Sequence, residues 1–190
     1  MAESSTALTS KQINRESDEL RIIRAVRKDP RAFGGLYKLY VEQVFRYLYS
    51  RLGNVHEAED ITAQTFLAAF ESFDKFRQDG RFASWLFTIA RNKAMDHFRQ
   101  RKNSVSIDEV EEVPIENDPL HGLIQSEQAA ALSKLIQVLP EEERELLRLR
   151  FLAEMSFPEI AHLLHRNEEA VKKSVYRLLA RLHNQLEVSN

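Results

Sequence analysis

Glu159, His162 and His165 stand three residues apart, so a helix would gather them on one side as a carboxylate and two imidazoles, the donors of a divalent metal site. Helical metal scaffolds commonly repeat the Glu-x-x-His pair, and this chain holds it once. Two exposed histidines beside a helix-starting glutamate give the same pattern, and that reading is preferred, so no metal site is expected. Cysteine is absent, which excludes thiolate ligands and disulfides. There is no Gly-rich phosphate loop, no nucleophile elbow and no Ser/His/Asp pattern in a plausible context. A protein without catalysis and without a cofactor is expected.

The chemistry on offer is electrostatic. A formal net charge of -2 hides a partition: residues 20–102 carry 16 basic and 9 acidic groups, residues 103–126 carry 6 acids and no base. Within 81–102, Arg81, Arg91, Lys93, Arg99, Arg101 and Lys102 face the single Asp96. Just before them, the aromatics Phe76 and Phe82 bracket a loop containing Asp79 and Gly80. This basic stretch could be an ordinary charged surface, but cations beside aromatics suit a protein that holds unstacked single-stranded bases. Trp85 is tempting as a stacking wedge, but a sole Trp at helical spacing is more often packing. A second basic set, Lys172, Lys173, Arg177 and Arg181 with Tyr176, lies in the last 25 residues and is read as a duplex-facing surface.

Helices must carry these groups. The chain is 43% hydrophobic and 29% charged with only five Gly and five Pro, which fits packed amphipathic helices and predicts an all-α fold. Residues 1–17 read as a disordered arm. A first domain, 18–102, starts with a short helix carrying Leu20, Ile23 and Val26 inward. After Asp29-Pro30, a start signal, Phe33, Leu36, Tyr37, Tyr40, Val44, Tyr47, Leu48 and Leu52 recur at helical spacing up to Gly53. Asn54 and Glu57 resemble a capping box for a third helix, on which Asp60, Gln64, Leu67 and Glu71 share a face: an apolar residue in a polar stripe, the pattern of a solvated face with one stray Leu or of a face met by a partner helix. The fourth helix buries Phe82, Leu86, Ile89, Ala90, Ala94 and Phe98. Residues 103–126, with two prolines and little apolar content, read as an acidic flexible linker. The second domain, 127–190, ends in a helix opened by Ser156 and Glu159, a tight turn, and a longer basic helix capped by Asn167, the helix-turn-helix layout.

Glu57 to Phe66 (EAEDITAQTF), Phe82 to Asn92 (FASWLFTIARN), Leu139-Pro140, Phe157 to Ala161 (FPEIA) and Glu169 to Lys173 (EAVKK) resemble, in order and spacing, the signature segments of bacterial sigma factors of the extracytoplasmic-function group. The resemblance runs from about residue 18 to 187 and implies a promoter-specificity subunit of RNA polymerase. The first domain would then dock on the clamp helices of the β′ subunit of the core enzyme, through Asp60, Gln64, Leu67 and Glu71, and engage the downstream (-10) promoter element. Phe76, Asp79, Arg81 and Asn92 match its pocket for one flipped non-template base, with Phe82, Arg91, Lys93 and Arg99 nearby. The second domain would read the upstream (-35) element through Lys172, Lys173, Tyr176, Arg177 and Arg181. Contacts to the β subunit and an anti-sigma partner are also implied. The chain departs from the pattern in the turn, where His165 and Arg166 replace Gly and an apolar residue, and at Ser174, where a base is common. Since His tolerates positive φ poorly, an altered turn is expected. A free-standing helix-turn-helix regulator is the rival reading. The start, Met1 to Ser10, lacks a signal-like basic segment and apolar run, and no stretch nears the ~18 apolar residues of a membrane span, so a cytoplasmic protein without membrane insertion is expected.

Overall fold

The computed structural model describes residues 17–77, 81–104 and 127–188. Among them are eight α-helices and no strand, so the chain is all-α as expected. The first domain comprises α1 (residues 17–26), α2 (Phe33–Leu52), α3 (Val55–Glu71) and α4 (Phe82–Ser104); the second comprises α5 (Glu127–Gln137), α6 (Glu141–Leu147), α7 (Phe157–Leu164) and α8 (Glu168–Val188). A five-residue π-helical turn, Arg148–Leu152, continues α6. The amino-terminal arm up to residue 16, Asp79 and linker residues 105–126 lie outside the described residues, and α4 takes the first two positions expected in the linker.

Local signals place most helix ends. The Asp29 carboxylate accepts the Arg31 N–H at 3.0 Å, but what it caps is a 3-10 turn, Pro30–Ala32, that feeds into α2. Gly53, at φ 71, closes α2, because only glycine takes that left-handed conformation without steric cost. Asn54 Oδ1 accepts the Glu57 N–H at 3.1 Å, a one-sided cap for α3. Ahead of α7, Glu159 Oε2 accepts both the Ser156 N–H and its hydroxyl at 2.7 Å.

The α7–α8 turn corrects an expectation. His165 adopts φ 52, so the turn keeps the ordinary left-handed residue despite the missing glycine. The reason is visible in its hydrogen bonds: Arg166 N–H to Ala161 O at 2.9 Å and His165 N–H to His162 O at 3.3 Å close the helix in the Schellman pattern. Those bonds offset a left-handed cost of about 1–2 kcal/mol for a residue with a Cβ. His165→Gly is therefore expected to stabilise the protein by about 0.5–1 kcal/mol and His165→Val to destabilise it. Urea denaturation of both variants checks this, and equal midpoints for all three proteins would contradict it.

One hydrophobic core runs through both domains. Ile23, Leu36, Tyr47, Leu48, Phe82, Leu86 and Phe87 are continuous with Leu149, Met155, Ile160 and Val171, while Leu139, Leu178 and Leu182 form a smaller cluster that seats α5. The expected inward stripes hold with two exceptions. Tyr37 is 45% exposed, its ring edge-on to Phe66 at the rim of the core, and Phe98 lies past Ala94, the last buried residue described on α4.

Polar groups cross the same boundary. Glu145 of α6 is buried, and its carboxylate accepts from the Tyr47 hydroxyl at 2.8 Å and from Arg51 Nη1 at 3.0 Å. Arg148 Nη1 and Arg91 Nε stand 3.6 and 3.7 Å from it. Burial, and then the neighbouring Glu145 charge, push the Tyr47 phenol well above its ordinary value. Arg46 of α2 pairs with Glu154 at 2.8 Å, and the Ser84 hydroxyl of α4 donates to the Glu159 carbonyl at 2.9 Å.

Candidate polymerase and nucleic-acid interfaces

Helix α3 presents Asp60, Gln64, Leu67 and Glu71 to solvent together, because residues at i, i+4, i+7 and i+11 drift little around a 3.6-residue helix. Leu67 is 58% exposed although Ile61, Thr65, Phe66 and Ala69 of the same helix are buried. Phe70, three residues on, is 46% exposed, its ring edge against Phe33 at 5.2 Å. The apolar spot on α3 thus has two members where the sequence suggested one. Phe70 was legible from its i+3 spacing to Leu67.

On α4, Asn92 and Arg99 are exposed and lie on one side of the helix with Thr88, Trp85 being at its margin, and Arg81 is exposed just before the helix begins. Arg91 and Lys93 sit one residue either side of Asn92, about 100° round the axis in each direction, and leave that face. Arg91 instead points its Nε at Glu145 of the second domain. The aromatic walls also need correction. Phe76 is 3% exposed and Phe82 fully buried, their rings packed on each other at 5.4 Å and on Trp85 at 5.2 and 5.6 Å. Both residues join the core, where burial is worth more than a rim position, so neither ring is available to stack on a base in this conformation. Arg27 fastens the site from below by donating to the Phe76 carbonyl at 3.1 Å. Trp85 is half-buried and packs, as preferred from the sequence.

Helix α8 starts at a well-made cap: Asn167 Oδ1 accepts the Glu169 and Ala170 N–H groups at 2.9 and 3.3 Å. Val171, Val175, Leu178 and Leu182 bury one face, which turns Lys173, Tyr176 and Arg177 outward and leaves Lys172 half-buried at the edge. Tyr176 meets the Phe157 ring at 5.9 Å, and the Arg150 guanidinium lies 5.0 Å over that ring, so an arginine and two aromatics form a ladder beside the helix. Arg181 is exposed but hydrogen-bonded to Glu143 of α6, which partly neutralises it. Glu159 serves as the α7 cap, and among the described residues no group of three or more His, Asp or Glu side chains is placed to hold a metal ion.

A helix-turn-helix unit with a cation-rich second helix, packed on a helical domain with its own exposed basic face, defines a class of DNA-binding protein built from two all-α domains. Residues 36–104 match the family model of Sigma-70 region 2, and residues 129–182 that of Sigma-70, region 4. The chain is 35% identical over 175 residues to the ECF RNA polymerase sigma factor BldN of Streptomyces coelicolor, covering 88% of this chain and 66% of that protein, just under two thirds of its length. It is 30% identical over 148 residues to SigM of Bacillus subtilis (77% and 90% covered) and 28% over 177 residues to SigW of the same organism (87% and 95%). Among solved structures, that of CnrH in complex with the cytosolic domain of CnrY aligns with a TM-score of 0.60 at 25% identity, over 91% of this chain and 99% of that one. The RpoE sigma factor of Bartonella quintana, solved with the anti-sigma factor NepR, shares the fold at a TM-score of 0.58 and 24% identity, over 83% and 98%.

The chain belongs to the extracytoplasmic-function group of the sigma-70 family. Members are RNA polymerase sigma factors, non-catalytic initiation factors that give the polymerase its promoter recognition, and the free-standing regulator is not favoured.

Proposed function

We propose that α3 docks this sigma factor on the β′ clamp helices of core RNA polymerase, that the exposed side of α4 engages the -10 element and promotes strand opening, and that α8 reads the -35 element. The observation that carries this reading is the presence of three separate exposed surfaces of different character: an acidic and apolar stripe on α3, an amide on α4 with Arg99 on the same side and Arg81 just before the helix, and cations beside a tyrosine on α8. A partner helix, melted DNA and duplex DNA ask for those three surfaces in turn. The chain itself carries out no chemistry. It works in the cytoplasm, a reading supported by the described residues, in which no helix is long and apolar enough to cross a membrane. An anti-sigma protein is a further proposed partner, suggested by CnrH, which was solved in complex with a second protein.

Run-off transcription with purified core polymerase tests the whole reading: transcripts should require both components, whereas specific duplex binding by the chain alone would favour the regulator. Within it, Asn92→Ala should spare polymerase binding yet reduce promoter opening and loosen preference at one position, because extruding a base costs a few kcal/mol that hydrogen bonds to its edge help offset. A premelted bubble should restore part of the activity. Permanganate reactivity of promoter thymines is the readout, and wild-type opening on linear duplex would refute the amide's role. For α8, the Lys172/Lys173/Arg177 triple alanine variant should lose promoter affinity and lower the salt slope by roughly one unit for each phosphate contact removed. Unchanged affinity would mean that the domain docks through another face.

A further inference from the structure

Arg166 has no place in the assignments above, yet its position is closely determined. Its backbone is held from both sides, by its own N–H to the Ala161 carbonyl at 2.9 Å and by Asn167, the next residue, which caps α8. Its side chain is exposed and runs along the first two turns of α8, where Nη2 donates to the Ser174 hydroxyl at 3.3 Å. That partner is neutral, and among the described residues no carboxylate forms an ion pair with Arg166. Arg181 differs, being paired with Glu143.

The charge around it is lopsided. Between Arg150 and Lys172 the chain has no cation but Arg166, while Glu168 and Glu169 open α8 with two negative charges. A recognition helix enters the major groove with its amino-terminal residues leading, between two phosphate backbones. An acidic leading end is repelled there unless a cation accompanies it. A planar guanidinium with an uncompensated charge fits phosphate oxygens in two-point geometry, and a hydrogen bond to a hydroxyl holds it in place without neutralising it.

We propose that Arg166 grips a phosphate of the upstream element from the turn before the recognition helix, and that Ser174 is the positioning residue that orients it. The inference rests on α8 docking as proposed above. It assigns Arg166 to affinity and to placement of α8, and not to base choice.

The experiment is promoter binding by the reconstituted holoenzyme over a salt series, on the cognate duplex and on duplexes altered one base pair at a time in the upstream element. Arg166→Ala should weaken all duplexes alike and reduce the slope of log K against log salt by about 0.9, so that its deficit relative to the parent protein shrinks about 3.5-fold between 50 and 200 mM salt. Ser174→Ala should lower affinity less and leave the slope unchanged, and Ser174→Arg placed in the Arg166→Ala background should restore the slope, since it delivers a guanidinium to the same spot from the helix. An unchanged slope in Arg166→Ala overturns the inference, and so does a loss confined to one base-pair substitution. The Lys172/Lys173/Arg177 triple alanine variant run alongside separates the two readings: if it loses affinity while Arg166→Ala does not, only the Arg166 assignment falls, and if neither loses any, α8 docking falls with it. Thermal unfolding of Arg166→Ala should match that of the parent protein, as expected for an exposed side chain.

Discussion

Leu67→Asp should abolish co-elution with core polymerase while leaving the free protein folded. The first half follows from the character of the α3 stripe. Asp60, Gln64 and Glu71 give it charge and polarity that water already satisfies, so the free energy of docking must come largely from the apolar residues among them, Leu67 and its neighbour Phe70. A buried anchor of this kind typically accounts for more than ~1.4 kcal/mol, tenfold in affinity, and a carboxylate forced into its pocket adds a desolvation cost. The second half follows from exposure: a side chain already 58% in water contributes little to the core, and its replacement should move the unfolding midpoint only slightly. Asp60→Lys should weaken the complex in the same direction by reversing a charge on the same face. Unchanged co-elution of both variants would remove α3 from the polymerase interface.

Glu145→Ala should be the most destabilising single substitution among the polar residues described. It deletes the acceptor shared by Tyr47 and Arg51 and leaves two buried cations, Arg51 and Arg148, whose side chains are 12% and 9% exposed, to share the half-exposed Glu141 as their carboxylate neighbour, 3.9 Å from Arg51. Breaking a buried ion pair from one side typically costs about 3–5 kcal/mol. Arg148 keeps Glu141 at 2.6 Å, which limits the loss on that side. Tyr47→Phe is the control, because it removes the hydroxyl's two hydrogen bonds, one donated to Glu145 and one accepted from Arg51, and none of the charge, and should cost about 2 kcal/mol. Urea denaturation of the two variants decides the matter, and a Glu145→Ala loss no larger than that of Tyr47→Phe would show that the cluster does not act as a charge network.

What the sequence made legible was local. Gly53, Asn54, Asn167 and the Ser156–Glu159 pair mark helix ends through bonds made within a few residues, so their residue types alone disclose them. The helix-turn-helix and the polar face of α3 were readable for the same reason, since a helical period settles which residues share a side. The period does not say what covers that side. Ala83 and Ser84 of α4 are buried, Ser84 with its hydroxyl donating to the Glu159 carbonyl of the second domain, and two small residues give little periodic signal. Glu145 sits in the run Glu141-Glu142-Glu143-Arg144-Glu145, which reads as a solvated face, and only the long-range partners Tyr47 and Arg51 reveal it as buried. Phe76 and Phe82 were misplaced for a related reason: an aromatic beside a loop can line its mouth or lie under it, and the choice depends on Trp85 and on packing from distant helices.

The shared core of the two domains has a consequence for how tightly promoters are held. Elements centred about 25 base pairs apart are roughly 85 Å apart along B-form DNA at about 3.4 Å per pair, whereas Tyr47 of the first domain and Glu145 of the second are in hydrogen-bond contact. One molecule that occupies both elements must first separate them. On the two-element reading proposed above, the free protein would be an equilibrium between this closed form and a spread form, only the spread fraction would be competent, and a closed form favoured 99 to 1 would weaken apparent promoter affinity about 100-fold. Core polymerase would shift that equilibrium in proportion to the difference between its affinities for the two forms. Loyalty to the polymerase would thus be encoded in a contact between the chain's own two domains: off the enzyme, the chain would keep its hold on promoters low.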